Sequence, residues 1–275
     1  MGVKGLKLKT SCMHSYLRLK RWLIFFVLIT FGLFTSCIEE IIEPEEDVEE
    51  ELTVHSYTLN KTGNIGLPYA NPMGIASDDE NLWIIFGAHN AEEHQLVYYN
   101  PNTHEELKSF VYHDLIEELG TGVYGLTWDE EYVWISVSGN TNKLVKVSPD
   151  SGEILQTWTS PTTLGPSDLA WDRDLIWIGS GTGPIYTINP ASGGSEHKWT
   201  HLPNEDRDQG IAIRDDEVWV SSLFQDNDVH IYNRLTGAHL GYIPDGVVRG
   251  GRFCFYQGKL TVLDASGVKF YEIIE

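Results

Sequence analysis

The feature that most constrains the fold of this chain is a ten-residue pattern that occurs four times along its length. Each copy has small or apolar residues, then a cluster of acidic or polar turn formers, and a tryptophan nine positions after its first residue. The copies are GIASDDENLW (74–83), GLTWDEEYVW (125–134), DLAWDRDLIW (168–177) and GIAIRDDEVW (210–219). Successive tryptophans are 51, 43 and 42 residues apart. A period of this length indicates a repeat architecture.

Each copy continues in the same way after its tryptophan. The following segments are LVYYNPNTHEE, LVKVSPDSGEI, IYTINPASGGS and VHIYNRLTGAH. Their apolar and polar residues alternate with the period of a half-buried strand, and Asn, Ser, Pro and Gly then supply a turn. A further strand follows each turn, so the unit is four antiparallel strands in about 42 residues. Such a unit is typical of one blade of a β-propeller.

The copies predict five blades. A fifth, degenerate copy is GRFCFYQGKLTVL, in which Thr261 stands 42 residues after Trp219. Its predicted strands are Arg252–Tyr256, Lys259–Leu263 and Val268–Ile274. The outer strand that this copy lacks is predicted at Leu52–Leu59, where it would pair both exposed edges and close the ring. The predicted fold is therefore all-β, a five-bladed β-propeller over residues 52–275 with four antiparallel strands per blade.

Residues 1–36 have the composition of an export signal. They hold six basic residues and no acid, and the apolar run Trp22–Phe34 is 13 residues long. A membrane-spanning helix needs about 20 apolar residues, whereas the core of a signal peptide needs fewer. The motif LFTSC then resembles the lipobox of bacterial lipoproteins, which implies lipid attachment to Cys37. Two alternatives stay open: an ordinary cleaved signal with Cys37 incidental, and translation from Met13 rather than Met1.

Residues 37–51 form an acidic segment behind that cysteine. The segment holds nine acids between Glu39 and Glu51, and such a run repels itself and stays extended as a tether. In some Gram-negative lipoproteins, acids just after the cysteine accompany export to the outer face of the outer membrane; a simple spacer is the alternative. We therefore expect a bacterial cell-envelope protein, at the outer membrane, that meets the membrane through its lipid anchor alone.

Charge and cysteine content argue against nucleic-acid binding and against disulfide bonds in the propeller. The formal net charge is −21, and it is about −27 without residues 1–36, because 13 bases then face 40 acids. Binding to a nucleic-acid backbone normally needs basic patches, so nucleic acid is not an expected partner. Beyond Cys12 and Cys37 the chain holds only Cys254, which rules out an intramolecular disulfide in the propeller. We expect Cys254 to be a buried, inert thiol.

The repeat also accounts for residues that resemble a site when each copy is taken singly. The acids of the pattern fall in the turn between the inner strand and the tryptophan strand, where Asp bonds to its own backbone. They are Asp78, Asp129, Asp172 and Asp215. The repeat tryptophans are expected to pack between neighbouring blades rather than to stack on sugars. They are Trp83, Trp134, Trp177 and Trp219.

Function is expected at the mouth of the central channel, where residues before each inner strand meet the loops after each tryptophan strand. These positions differ from blade to blade, and their mixed chemistry suits a polar small molecule, a glycan or a peptide. The candidate ligand-binding residues are Asn71, His89, Tyr124, Asp168, Asp208, Gln209, Asp226, Arg249 and Arg252. The two arginines could clamp a carboxylate or phosphate, or could neutralise acids across the channel. A solvated mouth without a ligand is the alternative.

The copies GLTWDEEYVWIS…LVKVSPDSGE and GIAIRDDEVWVS…VHIYNRLTG resemble the repeats of a broad group of bacterial propellers. This group includes streptogramin-lyase-like, NHL and YncE-type proteins and the five-bladed glutaminyl cyclotransferase-like family, which shares YGLTW (124–128). The resemblance covers residues 52–275 and implies the fold. The streptogramin-lyase-like enzymes use a magnesium site with His and Glu that has no identifiable counterpart here. The acid–base residues of the cyclotransferase-like family have no counterpart either.

These observations lead to competing functions. The first is a lipoprotein whose monomeric propeller binds a ligand or an envelope partner protein, without chemistry and without a cofactor. The second is an enzyme of lyase, cyclotransferase or lactonase type, with a divalent metal or an acid–base pair at the mouth. The residues for such a site would be Asp168, Asp208, Asp226 and His89. The sequence lacks the motifs of serine hydrolases, zinc proteases and phosphate loops, which favours binding. An assembly scaffold in the envelope is the third function.

Overall fold

The computed structural model describes residues 57–87, 93–113, 122–139, 141–181, 183–200, 208–222, 229–243, 248 and 251–274, with the backbone alone at 208, 209 and 222. The predicted signal peptide, the acidic segment and Cys37 lie outside these residues. Within them, no helix is long and apolar enough to cross a membrane.

The described residues form twenty strands in five antiparallel sheets of four. Blade one comprises β2 (Pro72–Ser77), β3 (Leu82–Phe86), β4 (His94–Asn100) and β5 (Glu105–Tyr112). Blade two comprises β6 (Gly122–Trp128), β7 (Val133–Ser138), β8 (Lys143–Val147) and β9 (Ile154–Thr159). Blade three comprises β10 (Pro166–Asp172), β11 (Leu175–Ser180), β12 (Pro184–Ile188) and β13 (Ser195–Thr200). Blade four comprises β14 (Asp208–Arg214), β15 (Glu217–Ser222), β16 (Val229–Asn233) and β17 (His239–Ile243). Blade five comprises β18 (Arg252–Tyr256), β19 (Lys259–Asp264), β20 (Gly267–Ile274) and β1 (Thr58–Ile65).

The first strands of the five blades surround a common axis. These inner strands are β2, β6, β10, β14 and β18, and each lies beside the inner strands of the two adjacent blades, with β18 returning to β2. The sheets therefore form a closed ring, and the predicted five-bladed propeller is confirmed. The apolar core divides into five clusters, one at each interface between neighbouring blades. The fold thus rests on side chains that pack between sheets.

Blade five is completed by β1, the first strand of the described residues. Strand β1 pairs with β20 in antiparallel register, with Thr58 opposite Ile274. Closure by an N-terminal strand is therefore confirmed, but its predicted bounds, Leu52–Leu59, were wrong. The strand lies at Thr58–Ile65, where most side chains are exposed, because it forms the outer edge of the blade. The strand therefore lacks the alternation of apolar and polar residues on which the prediction of Leu52–Leu59 was based.

The repeat tryptophans lie in the core. All four are at most 3% exposed, so their predicted role in packing is confirmed. Three of them stand opposite an alanine of the inner strand: Trp83 opposite Ala76, Trp177 opposite Ala170 and Trp219 opposite Ala212. A small residue here leaves room for the indole ring on the same face of the sheet. In blade two Trp134 stands opposite Thr127, and in the degenerate copy of blade five Thr261 stands opposite Cys254.

The acidic turns are part of the repeat. The Oδ1 of Asp78 accepts hydrogen bonds from the backbone amides two and three residues further on, at 3.0 and 2.7 Å. Asp129 repeats this arrangement at 3.1 and 2.6 Å. The predicted turn role is confirmed for these two residues. Asp172 instead accepts a hydrogen bond of 2.5 Å from Arg234 of the next blade, and Asp215 takes a left-handed φ of 53°.

Candidate functional site

Four of the five inner strands carry a β-bulge near their first residues. The pairing register shifts at Pro72/Gly74 in β2, Val123/Leu126 in β6, Pro166/Asp168 in β10 and Asp208/Gly210 in β14. The residues set apart by the shifts include Met73, Tyr124, Ser167 and Gln209. A bulge re-aims side chains and is common next to active sites. We call this end of the central channel the bulge mouth.

At one position of the repeat, located at the bulge mouth, the type of side chain differs between blades. In blades one to five it is Gly74, Gly125, Asp168, Gly210 and Arg252. Glycine allows neighbouring inner strands to approach closely, since a Cβ on Gly125 would lie 2.4 Å from both Cα and Oδ1 of Asp168. The missing side chain in blade two therefore provides the space that the acid of blade three occupies.

Asp168 is fully buried and connects three blades. Its Oδ2 accepts a hydrogen bond of 3.3 Å from the amide of Ile211 in blade four, and the carboxylate also accepts from the amides of Leu126 and Leu169. Its Oδ1 is buried and has no hydrogen-bond partner among the residues that the structure describes. Burial raises the pKa of Asp168 well above its usual value, while Arg252 and the three amides oppose that rise.

Arg252 interacts with the same acid from blade five. Its Cζ lies 5.7 Å from the centroid of the Tyr124 ring, within the range of a cation–π contact. Burial lowers the pKa of Arg252, and the charge of Asp168 acts in the opposite direction. The buried Nε of Arg252 has no hydrogen-bond partner in the described part of the chain, although the residue as a whole is partly exposed. The structure thus brings together three predicted site residues, Tyr124, Asp168 and Arg252, which we call the mouth triad.

The other predicted ligand-binding residues are placed differently or are not described. Asn71 is exposed, takes a left-handed φ of 57° and accepts a hydrogen bond of 3.0 Å from the amide of Gly87 through its backbone carbonyl. These features indicate a role in the chain turn before β2. Asp208 and Gln209 lie in β14 at its bulge, where their backbone alone is described. His89, Asp226 and Arg249 lie outside the described residues.

Two residues outside the predicted set complete the bulge mouth. Gly125 admits the carboxyl group of Asp168, and its alignment with that acid in the repeat was the available signal. Ser167 adds a buried hydroxyl whose Oγ has no hydrogen-bond partner within the described segments. Ser167 lies in β10 at its bulge, and no motif distinguishes such a serine in the sequence. The bulge mouth therefore holds three buried polar atoms that a ligand or water could satisfy: Asp168 Oδ1, Ser167 Oγ and Arg252 Nε.

A cavity of about 330 Å³ lies between the five inner strands toward their tight turns, away from the bulge mouth, and the mouth triad does not line it. Its walls include half-buried aromatic rings near the tight turns, namely Trp128, Trp171 and Phe255. Cys254 also lines the cavity and is half-buried rather than buried as predicted, and burial raises the pKa of its thiol, which disfavours the reactive thiolate. Across the described ranges, no three His, Cys, Asp or Glu side chains come together as a metal site.

Comparison with known proteins supports the fold. No protein-family model matches the sequence, and no curated protein matches it. The crystal structure of glutaminyl cyclase from Myxococcus xanthus is similar, with a TM-score of 0.58 and 10% sequence identity over 80% of this chain and 98% of that chain. The likeness is one of fold. The computationally designed Ika8 protein has a TM-score of 0.43 and 14% identity; the match covers 74% of this chain and 58% of that chain.

Proposed function

We propose that this protein is a cell-envelope lipoprotein whose propeller binds a small anionic ligand at the bulge mouth without chemistry. The mouth triad is the observation that carries the proposal. It places a partly exposed arginine beside an aromatic ring and a buried acid, at the end of the channel where bulges re-aim the side chains. The chain outside residues 1–36 has a net charge of about −27, so the positively charged Arg252 at the bulge mouth calls for a functional explanation.

The charge state of the triad supports an anionic ligand. Burial raises the pKa of Asp168 while Arg252 opposes that rise, and whenever Asp168 is neutral a bound anion would balance the charge of Arg252. A guanidinium group binds a carboxylate or phosphate through two parallel N–H donors. The neutral carboxyl group of Asp168 can donate a further hydrogen bond from its buried Oδ1. The ring of Tyr124 offers an apolar face to the rest of the ligand.

Binding can be tested with three defined probes, pyroglutamate, glucuronate and inorganic phosphate. We expect at least one of them to raise the melting temperature of the wild-type protein and to bind in titration calorimetry. Arg252→Gln should weaken that binding by about 30-fold or more, because truncating one partner of a buried charge pair costs about 2 kcal/mol or more. Arg173→Gln is the matched control, since the Arg173 side chain is 75% exposed and lies in a tight turn. Equal affinity in Arg252→Gln and the control would reject the site.

Membrane attachment is proposed from residues 1–51 alone. The lipobox-like LFTSC and the acidic run behind it support a lipid on Cys37 with an extended tether to the propeller. One acyl chain gives only reversible membrane binding, so stable anchoring needs a second chain. Metabolic labelling with a fatty-acid analogue should mark the wild-type protein in membranes and leave Cys37→Ser unlabelled. Labelling of Cys37→Ser, or a soluble wild-type protein, would contradict the anchor.

Acid–base catalysis is the second candidate function. Asp168 is a buried acid with a raised pKa at a channel mouth, which is typical of functional sites, and a glutaminyl cyclase has a similar fold. In such a cyclisation an amine attacks a side-chain amide carbon and ammonia leaves. Incubation with a glutaminyl dipeptide therefore distinguishes the functions. Ammonia release that is lost in Asp168→Asn would favour the enzyme, and no release above the uncatalysed rate would favour binding.

A further inference from the structure

Two histidines face each other on the outer strands of blade four. His230 lies in β16 and His239 in β17, and the Nδ1 of His230 is 3.3 Å from the Nε2 of His239. The strand register places His230 opposite Tyr242 and Tyr232 opposite His239. The two imidazole rings are 5.4 Å apart, and His239 and Tyr242 are exposed. This cluster lies far along the blade from its inner strand and is separate from the mouth triad.

The separation between the two nitrogens matches that of two ligands on one tetrahedral metal ion. Zn²⁺ binds histidine nitrogen at about 2.0–2.1 Å, and a tetrahedral angle then separates two such nitrogens by about 3.3–3.4 Å. A right angle, as in square-planar Cu²⁺ sites, would need about 2.9 Å. The observed 3.3 Å therefore fits the tetrahedral arrangement. Without metal, the same distance accommodates an N–H···N hydrogen bond between neutral rings.

We propose that His230 and His239 form a surface site for a late first-row divalent cation, with Zn²⁺ as the fitting ion. The metal would bind Nδ1 of His230 and Nε2 of His239, so each neutral ring keeps its proton on the other nitrogen. Among the described residues these two histidines are the ligands that the site offers, and water would complete a tetrahedral coordination around them. The exposure of His239 gives the ion access from solvent.

Blade three lacks this pair of histidines. Tyr186 occupies the place of His230, because the residues opposite them, Ile178 and Val220, each follow a repeat tryptophan directly. Ser195 occupies the place of His239, since Ile188 pairs with Ser195 as Tyr232 pairs with His239. The histidine of β13, His197, lies opposite Tyr186, and its Nε2 is 3.1 Å from Thr200 Oγ1. The facing imidazoles of blade four therefore do not recur in blade three.

The proposal can be tested by titrating the full chain with Zn²⁺ alone. We expect one calorimetric binding event in the wild-type protein. The Zn²⁺ affinity should fall by at least about tenfold in His230→Ala and in His239→Ala, because mutating residues that only support metal ligands already lowers metal affinity by about 10–100-fold. His197→Ala is the matched control and should bind Zn²⁺ as the wild type does. Circular dichroism and melting temperature without metal establish that the variants are folded.

Substitution with Co²⁺ provides a second readout at the same site. Tetrahedral coordination by the two imidazoles should give visible absorption in the wild type and in His197→Ala that is lost in His239→Ala. The proposal is overturned if the wild-type protein does not bind Zn²⁺, or if His239→Ala binds it with wild-type affinity. Arg252→Gln should leave Zn²⁺ binding unchanged, so the result is independent of the function proposed for the bulge mouth.

Discussion

Asp168 and Arg252 occupy the same position of the repeat in blades three and five, and the other three blades have glycine there. The repeat therefore does not require a side chain at this position. The acid and the base nevertheless interact electrostatically in the interior, and burial shifts the pKa of each toward its neutral form. Taking two charges out of water is costly, so this departure from glycine is evidence for function rather than for stability.

The close approach of blades two and three can be tested by Gly125→Ala. The added Cβ would lie 2.4 Å from Cα of Asp168, so backbone must shift, and we expect a loss of about 1–3 kcal/mol in the free energy of unfolding by urea. Gly181→Ala is the control, because apart from its chain neighbours no atom of the described residues lies within 4 Å of its Cβ position. A change below about 0.5 kcal/mol is expected for the control. Equal stability of the two variants would contradict the packing described here.

The raised pKa of Asp168 predicts a pH dependence of stability. An acid whose folded-state pKa is raised stabilises the fold below the unfolded pKa of about 3.9, and that contribution is lost as pH rises through the folded pKa. The wild type should therefore lose stability relative to Asp168→Asn as pH rises from about 4, by up to about 1.4 kcal/mol per pH unit, until Asp168 is ionised. Urea unfolding of both proteins between pH 4 and 8 measures the difference. A stability difference between the two proteins that stays constant over this range would show that the pKa of Asp168 is not raised.

A buried hydrogen bond joins the segment before β1 to blade four. The hydroxyl of Tyr57 donates to Glu217 at 2.7 Å, and Trp219 Nε1 donates to the other carboxylate oxygen at 2.8 Å. Tyr57→Phe should lower the free energy of unfolding by about 1.5–3 kcal/mol, since hydrogen bonds to charged groups fall in this range. Tyr69→Phe is the matched control, because its hydrogen bond to Glu106, at 2.8 Å, is exposed. Equal free energies of unfolding for the two variants, measured by thermal or urea unfolding, would contradict a stabilising role for this buried hydrogen bond.

The repeat made most of the fold predictable from the sequence. The four copies of the pattern have the same residue types at the same spacing. This repeat predicts the number of blades, the strands of blade five and the burial of the repeat tryptophans. The bounds of the closing strand did not follow, because Thr58–Ile65 forms a mostly exposed edge strand with no clear apolar alternation. Pairing with β20, a long-range contact, determines its position instead.

The candidate site was predictable only in part. Variation between blades pointed to Tyr124, Asp168 and Arg252, which the structure brings together. The contribution of Gly125 depends on how closely two inner strands approach, and no sequence motif reports that distance. Similarly, Asp172 looked like the other turn acids, but its partner Arg234 lies 62 residues further along the chain. Contacts between blades are set by the closed ring rather than by the local pattern.

The central claim is that the guanidinium group of Arg252 binds an anionic ligand at the bulge mouth. The Nε–H resonance of Arg252, assigned by its absence in Arg252→Gln, reports on this group directly. We predict that this resonance shifts on titration with whichever of pyroglutamate, glucuronate or phosphate binds, and that the shift saturates with the calorimetric affinity. If none of the probes binds, or if one binds while the Arg252 resonance stays unchanged, the account of the bulge mouth is contradicted.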